Sequence, residues 1–265
     1  MNKNTKKIIE YISPPIFNDL VRLIRAFIFT PNYYSLIKSN KEYYGIHSGE
    51  KVFVIANGPS IDKINTDIYF GEKVIVMNSF QKAKWKNSVD IVAHCMGEPY
   101  IASAWSEEDI LESIEGTDSQ SYWLHYSSFG KINGVSKEKK LNYVFLPFEA
   151  GVWKRNNIQL HKPTLAYQTT AQLAIQVALH MGFKEIVLLG FDHDWLASPK
   201  YLKHFYSVNK DDTDKIGEMT YMEIIKLTER MWDIYYKIHK ISLDNGVKIY
   251  NMNSYSYLDV FEIIE

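Results

Sequence analysis

From Glu50 onward, short runs that are apolar at almost every position alternate with longer stretches of helical periodicity, and no other feature narrows the fold as far. Lys51–Ala56 (KVFVIA), Lys73–Met77 (KVIVM), Asp90–Cys95 and Glu185–Leu189 (EIVLL) are too short for helices and rich in Val, Ile and Leu. A strand apolar on both of its sides is covered on both faces, and strands separated by helices connect in parallel. The pattern therefore predicts the α/β class with a doubly wound, mostly parallel sheet. Tyr122–Tyr126 and Tyr143–Phe148 are read as further strands, and Glu98–Glu115, Thr169–Met181 and Gly217–Asn245 as helices. Gly246 closes the long helix as a C-cap, and Val247–Asn251 is a last strand before a short C-terminal turn of helix.

Composition supports a large core: 46% of the 265 residues are hydrophobic and 23% charged, which excludes wholesale disorder. The net charge of −1 argues against a generally basic nucleic-acid binder. One cysteine, Cys95, excludes a disulfide framework and a Cys-based zinc site and suits a reducing compartment. No apolar run reaches the roughly 18 residues that a spanning helix requires. The expectation is a cytoplasmic protein, peripheral at the inner membrane if its N-terminus binds lipid.

That N-terminus stands apart. Residues 1–48 carry seven Lys/Arg against three acids, a net of +4, so the remaining 217 residues sum to −5. Phe17, Leu20, Val21, Ile24, Phe27 and Ile28 recur at helical spacing with Arg22 and Arg25 between them. Two readings fit this basic amphipathic helix: residues 1–30 lie on an anionic membrane surface, or the helix packs on the domain or in a homo-oligomer interface. The chain divides into an N-terminal extension, 1–48, and a catalytic domain, 49–265, with a lid-like segment around 193–216.

In a parallel sheet of this kind, ligands bind beyond the carboxyl ends of the strands, at the topological switch point. The residues leaving the strands are therefore the candidates. Asn57-Gly58-Pro59-Ser60 follows the first strand: glycine permits close backbone approach, proline fixes the turn, and Ser60 can cap a helix beginning near Ile61. Its amides suit a phosphate or carboxylate, and an ordinary βα turn uses the same residues. It is neither a dinucleotide fingerprint nor a P-loop, having one glycine and no Gly-Lys-Ser/Thr. Asn78-Ser79 follows the second strand. Asp192-His193-Asp194-Trp195 follows the late one. There, Asp192 and Asp194 could hold Mg or Mn against a diphosphate, or could satisfy backbone amides and cap the next segment. Tyr201, His204 and Tyr206 lie in a polar, irregular stretch, with a titratable imidazole and phenols able to donate to an oxyanion. Thr169-Thr170 opens a helix, where hydroxyls and amides could bind an anion or serve as plain caps.

Taken in order, Asn57-Gly58-Pro59-Ser60, Asn78, Thr169-Thr170 with its Ala-rich helix, Gly182-Phe183-Lys184-Glu185-Ile186 and Gly190-Phe191-Asp192 resemble the family 42 bacterial sialyltransferases. They also resemble the broader superfamily that holds the MptE-like 6-hydroxymethylpterin pyrophosphokinase domain. The likeness runs from about Lys51 to Phe261, and the tail Asn251-Met252-Asn253-Ser254 through Leu258 shares in it. The resemblance implies a modified Rossmann fold that binds a CMP-activated sugar acid without a metal cofactor and passes the sugar to a glycan acceptor. Asn57, Ser60 and Asn78 would hold the nucleotide, Thr169 or Thr170 the sugar carboxylate, and Tyr201 and Tyr206 the departing phosphate. Where the family carries a histidine base ahead of the long helix, this chain has Glu218; either the base is Glu218, His204 or His193, or the reaction differs. The pyrophosphokinase alternative requires magnesium at Asp192 and Asp194, and a third reading is a non-catalytic nucleotide-binding protein.

Overall fold

A computed structural model of the chain describes residues 20, 24, 31–83, 89–97, 106–130, 132, 134–135, 138–144, 156–162, 165–197 and 220–264. Eight strands form one sheet: β1 (Lys51–Ile55), β2 (Lys73–Met77), β3 (Asp90–Met96), β4 (Tyr122–His125), β5 (Leu141–Val144), β6 (Glu185–Leu189), β7 (Lys248–Asn251) and β8 (Glu262–Ile263). Their spatial order is β5-β4-β3-β2-β1-β6-β7-β8, and every neighbouring pair is parallel. The chain winds outward from β1 to β5, crosses back to pair β6 with β1, and winds outward again. The switch point thus lies between the carboxyl ends of β1 and β6, in register from Lys51↔Glu185 to Ile55↔Leu189.

Period-2 alternation divides β1 between two cores. Val52 and Val54 point to a large cluster that includes Leu173, Ala174, Val177 and Ala178 of helix α3 (Thr170–Met181) and Ile234, Tyr235 and Ile238 of helix α4 (Tyr221–Asp244). Phe53 and Ile55 point to the other face, where Ile61, Tyr69, Val74, Val76 and Phe80 close a second cluster. Helix α3 is buried on nearly its whole surface, which its sequence (TAQLAIQVALHM) makes possible by carrying no charged residue. A third cluster joins Met96, Tyr122 and Leu124 to Ile114 of helix α2 (Glu107–Glu115).

Several elements differ from expectation for definable reasons. No α-helix starts near Ile61; Pro59–Lys63 and Thr66–Ile68 are short 3₁₀ turns, so β1 crosses to β2 over a tight connection. Strand β5 starts at Leu141, two residues ahead of the predicted Tyr143, and pairs with β4 through Leu141↔Tyr122. The chain ends on a strand, β8, where a helical turn was expected, because Tyr250 and Asn251 pair with Glu262 and Ile263. Helix α4 closes on Asn245, with Gly246 following at φ 64. Of the N-terminal segment, helix α1 (Pro31–Lys38) and the turn Ser39–Tyr43 bury Ile37, Asn40 and Tyr43. Asn40 Nδ2 donates to Tyr143 O at 2.8 Å and Leu160 O at 3.0 Å, and so pins this segment to the end of β5. Leu20 and Ile24 are helical and exposed; the rest of the predicted amphipathic stretch from Phe17 to Ile28 lies outside the described residues. Among the described residues, no helix is long and apolar enough to cross a membrane.

Candidate nucleotide site

The turn after β1 and the turn after β6 are built as one unit. The sheet ladder continues past the strands: Ala56 N–H donates to Leu189 O at 2.8 Å and Gly58 N–H to Gly190 O at 3.0 Å. Gly190 takes a left-handed φ of 71, and a Cβ there would lie 2.7 Å from Ala56 O. Gly58 is as tightly held, since a Cβ on it would lie 2.3 Å from Gly190 O and 2.7 Å from the Asp192 carboxylate. Both glycines are needed for two backbones to touch.

Asp192 locks this unit. Its Oδ2 accepts from Ser60 N–H at 3.0 Å, its Oδ1 accepts from the Ser60 hydroxyl, and Oδ1 also takes Asn253 Nδ2 at 2.8 Å. Its backbone carbonyl accepts from Tyr257 N–H at 3.0 Å, and Ser256 Oγ donates to Phe191 O at 2.5 Å. One carboxylate therefore ties together the exits of β1 and β6 and the loop after β7. The expected anion cradle at Asn57–Ser60 changes character as a result. Gly58 N–H serves Gly190, Pro59 has none, Ser60 N–H serves Asp192, and Ile61 N–H serves Gly58 O at 3.2 Å. The turn is a rigid floor, and Ser60 sits inside it as a ligand of Asp192, not as a helix cap. The expected magnesium role for Asp192 and Asp194 finds no support in this geometry, because both Asp192 oxygens are engaged by protein donors. Among the described residues, no three His, Cys, Asp or Glu side chains converge.

Asn57 is buried at the lip of the floor. Asn78, at the exit of β2, adopts a left-handed φ of 50, a conformation that asparagine tolerates better than most residues. Its backbone is held on both sides: its N–H donates to Cys95 O at 3.0 Å, and its carbonyl accepts from His94 Nε2 at 2.8 Å and Ser113 Oγ at 2.5 Å. The side-chain Oδ1 of Asn78 is buried and has no hydrogen-bond partner among the described residues. An amide oxygen in that state is costly unless something else donates to it. Ser79 is buried beside it and accepts Lys82 N–H at 3.0 Å through its carbonyl.

The third wall is the N-terminus of α3. Thr169 is the N-cap, its Oγ1 accepting Gln172 N–H at 3.3 Å. Thr170 Oγ1 donates to Gly97 O, at the exit of β3, at 3.1 Å. The threonine hydroxyls thus hold the helix to its surroundings, Thr169 takes the Gln172 N–H, and what the first turn still presents to a ligand is the backbone N–H groups of Thr170 and Ala171. Gln172 strengthens the cap, accepting Gln168 N–H at 2.8 Å and donating from a buried Nε2 to Met231 O on α4 at 2.9 Å.

His193 enters this site in a role other than that of a base. It is buried at a left-handed φ of 53, with its ring among Phe191, Trp232 and Tyr235, and Nε2 lies 2.8 Å from the Tyr235 hydroxyl. Burial holds its imidazole down to about 3, so it stays neutral, and Tyr235 fills the nitrogen. Trp195 follows in the 3₁₀ turn Asp194–Leu196. Tyr201, His204, Tyr206 and Glu218 lie outside the described residues.

Three contributors escaped the reading from sequence. Tyr235 looks like one more apolar residue of a helix face; Gln172 looks like a solvated glutamine; Asn253 carries a signal in the polar Asn251-Met252-Asn253-Ser254 tail, though not one that names its partner. His125, last residue of β4, stands at the same sheet edge with its ring 4.4 Å from Tyr126 and 6.0 Å from Tyr167.

No protein-family model matches the chain, and no curated protein matches it in sequence. Among solved structures it is similar to the sialyltransferase CST-II in complex with a trisaccharide acceptor and CMP, at 13% identity and a TM-score of 0.46 over 81% of this chain and 86% of that one. It is similar to CstII from Campylobacter jejuni in complex with cytidine-5'-monophosphate at 15% identity and a TM-score of 0.46, over 82% and 85% of the two chains. A third such structure, CstII from Campylobacter jejuni in complex with CMP-3FNeuAc, gives 14% identity and a TM-score of 0.47 over 82% and 86%.

Proposed function

We propose that the protein is a glycosyltransferase that takes a nucleotide-activated sugar, with a CMP-linked, sialic-acid-like sugar as the first donor to test, and delivers it to a hydroxyl of a glycan or lipid-linked acceptor. The observation that carries this reading is Asn78. It is a strained residue at the carboxyl edge of the sheet, with a rigid backbone and a buried amide oxygen lacking a donor among the described residues, next to the switch point where α/β sheets bind ligands. Hydroxyls of a ribose or the amino group of a base would meet that need. Asn57 lies on the neighbouring strand exit and would join it.

The chemistry is a single displacement with inversion. An acceptor oxygen bonds to the anomeric carbon, the bond from that carbon to the donor phosphate breaks, and a base removes the acceptor's proton as CMP departs. Glu218 and His204 are the chain's candidates for that base, Tyr201 and Tyr206 for donors to the leaving phosphate, and the α3 amides for the sugar carboxylate. A general base of this kind contributes about 10²- to 10⁴-fold. The pyrophosphokinase alternative needs Asp192 free for a cation, and Asp192 is already bound by Ser60 and Asn253.

The decisive experiment combines calorimetric titration of CMP and of ATP with magnesium, and chromatography of nucleotide sugars for acceptor-independent hydrolysis. CMP binding, released CMP, and about a tenfold weaker CMP affinity in Asn78→Ala are expected, since a hydrogen bond left unmade is worth about 1.4 kcal/mol. Binding of ATP–magnesium in preference to CMP would overturn the assignment.

A further inference from the structure

Asp192 and His193 are consecutive, yet each serves a different wall of the crevice. The carboxylate of Asp192 holds the floor through Ser60 and the C-terminal loop through Asn253. The imidazole of His193 turns the other way and meets Tyr235 on α4. Tyr235 belongs to the face of α4 that shares a buried cluster with α3. One turn earlier on α4, Met231 O takes Gln172 from that helix's first turn. A continuous buried series thus runs from the exit of β6 through Tyr235 to the amides of α3.

The backbone conformation of His193 is what lets adjacent side chains diverge in this way. A left-handed φ at a non-glycine residue is strained, and persists where surrounding contacts over-determine it. Here the ring lies 5.5 Å from Trp232, 5.3 Å from Tyr235 and 6.2 Å from Phe191, centroid to centroid. The neutral imidazole and the Tyr235 hydroxyl share one hydrogen bond at 2.8 Å, which orients the phenol.

We infer that Asp192-His193 is a bracket that sets the distance between the crevice's floor and its α3 wall, with His193 and Tyr235 acting as positioning residues for the α3 first turn. The inference rests on the reading of this crevice as the nucleotide site, and part of its test does not depend on any ligand. Tyr235→Phe removes only the hydroxyl, and His193→Gln removes the imidazole while keeping a polar group.

Amide hydrogen exchange read residue by residue separates local loosening from general destabilisation. Both variants should exchange the Gln172 and Leu173 amides, which the Thr169 cap holds, at least tenfold faster, with β1 and β6 amides unchanged. Ser60 should keep its protection in both variants and lose it in Asp192→Asn. Titrated with CMP, each of the two variants should bind five- to tenfold more weakly. The double variant should bind no more weakly than the worse single one, because both substitutions cut one series. Unchanged exchange at Gln172 and Leu173, uniform acceleration throughout the sheet, or losses in the double variant that multiply would each overturn the bracket. If the unaltered protein binds no CMP, the nucleotide reading fails, and the exchange pattern still decides whether the bracket exists.

Discussion

A carboxylate with three donors from two separate loops is a structural knot whatever ligand sits above it. Asp192→Ala leaves the Ser60 amide and hydroxyl and the Asn253 amide without their acceptor, and each stranded donor in a partly buried place is worth about 1 to 3 kcal/mol. With water reaching part of the site, a loss of about 3 kcal/mol is expected, read as a lower urea midpoint by circular dichroism. Gly58→Ala tests the neighbouring contact by steric means. Its new methyl would meet the Gly190 carbonyl, a backbone atom that cannot rotate aside, at 2.3 Å. Overpacking of this kind costs about 1 to 3 kcal/mol, and the upper end is expected here. Ser60→Ala should cost less than Asp192→Ala, since its amide still reaches Oδ2. Equal losses would mean that the hydroxyl contact carries the whole interaction.

Among the elements, the strands were the most legible and the turns the least. KVFVI, KVIVM and EIVLL announce themselves because a strand covered on both faces has no room for polar residues. The short crossover Pro59–Lys63 does not: its residues suit a helix start, and the competing pull is the Asp192 carboxylate 132 positions away, which claims the Ser60 amide. Helix α1 and the turn after it are a similar case. Their basic composition reads as a separate extension, whereas Asn40 is fully buried and satisfies two carbonyls from β5 and the segment before α3. Asn40→Ala should therefore destabilise the whole domain by about 2 kcal/mol, and differential scanning calorimetry should show one transition shifted down, not a separate early one. Helix α4 offers a control: Thr220 and Glu223 form a capping box on an exposed helix start, so Thr220→Ala should cost only about 1 kcal/mol.

For the molecule as a whole, the candidate site was legible as a place and not as a mechanism. Parallel order brings every strand exit and the N-terminus of α3 to one edge, so Asn57, Asn78, Thr169 and Asp192 could be grouped from sequence; which of their atoms remain for a ligand depends on contacts that span from 16 residues, at Asn78, to 132, at Asp192. The same burial that hides those contacts gives the protein a pH signature. His94 and His180 are each held down to about 4, and His193 to about 3, in every case chiefly by removal from water. His180 shows the neutral state directly, with Nε2–H donating to Asn40 O at 2.8 Å and Nδ1 accepting Leu160 N–H at 3.2 Å. In the unfolded chain these imidazoles titrate near 6.5, so below that pH the unfolded state binds protons that the folded state refuses. Stability is then fully present above about pH 6.5 and falls as the pH drops toward about 4, by about 1.4 kcal/mol per unit for each histidine. Urea denaturation at pH 7, 6 and 5 should show a loss of about 4 kcal/mol or more across that range, a large part of the stability of a domain this size. His180→Gln should lower stability at pH 7 and flatten the pH dependence, because one of the refused protons is gone while His94 and His193, and His161 and His239, which burial also holds down, still refuse theirs. A slope that stays the same in that variant would mean that groups other than these buried imidazoles govern acid unfolding.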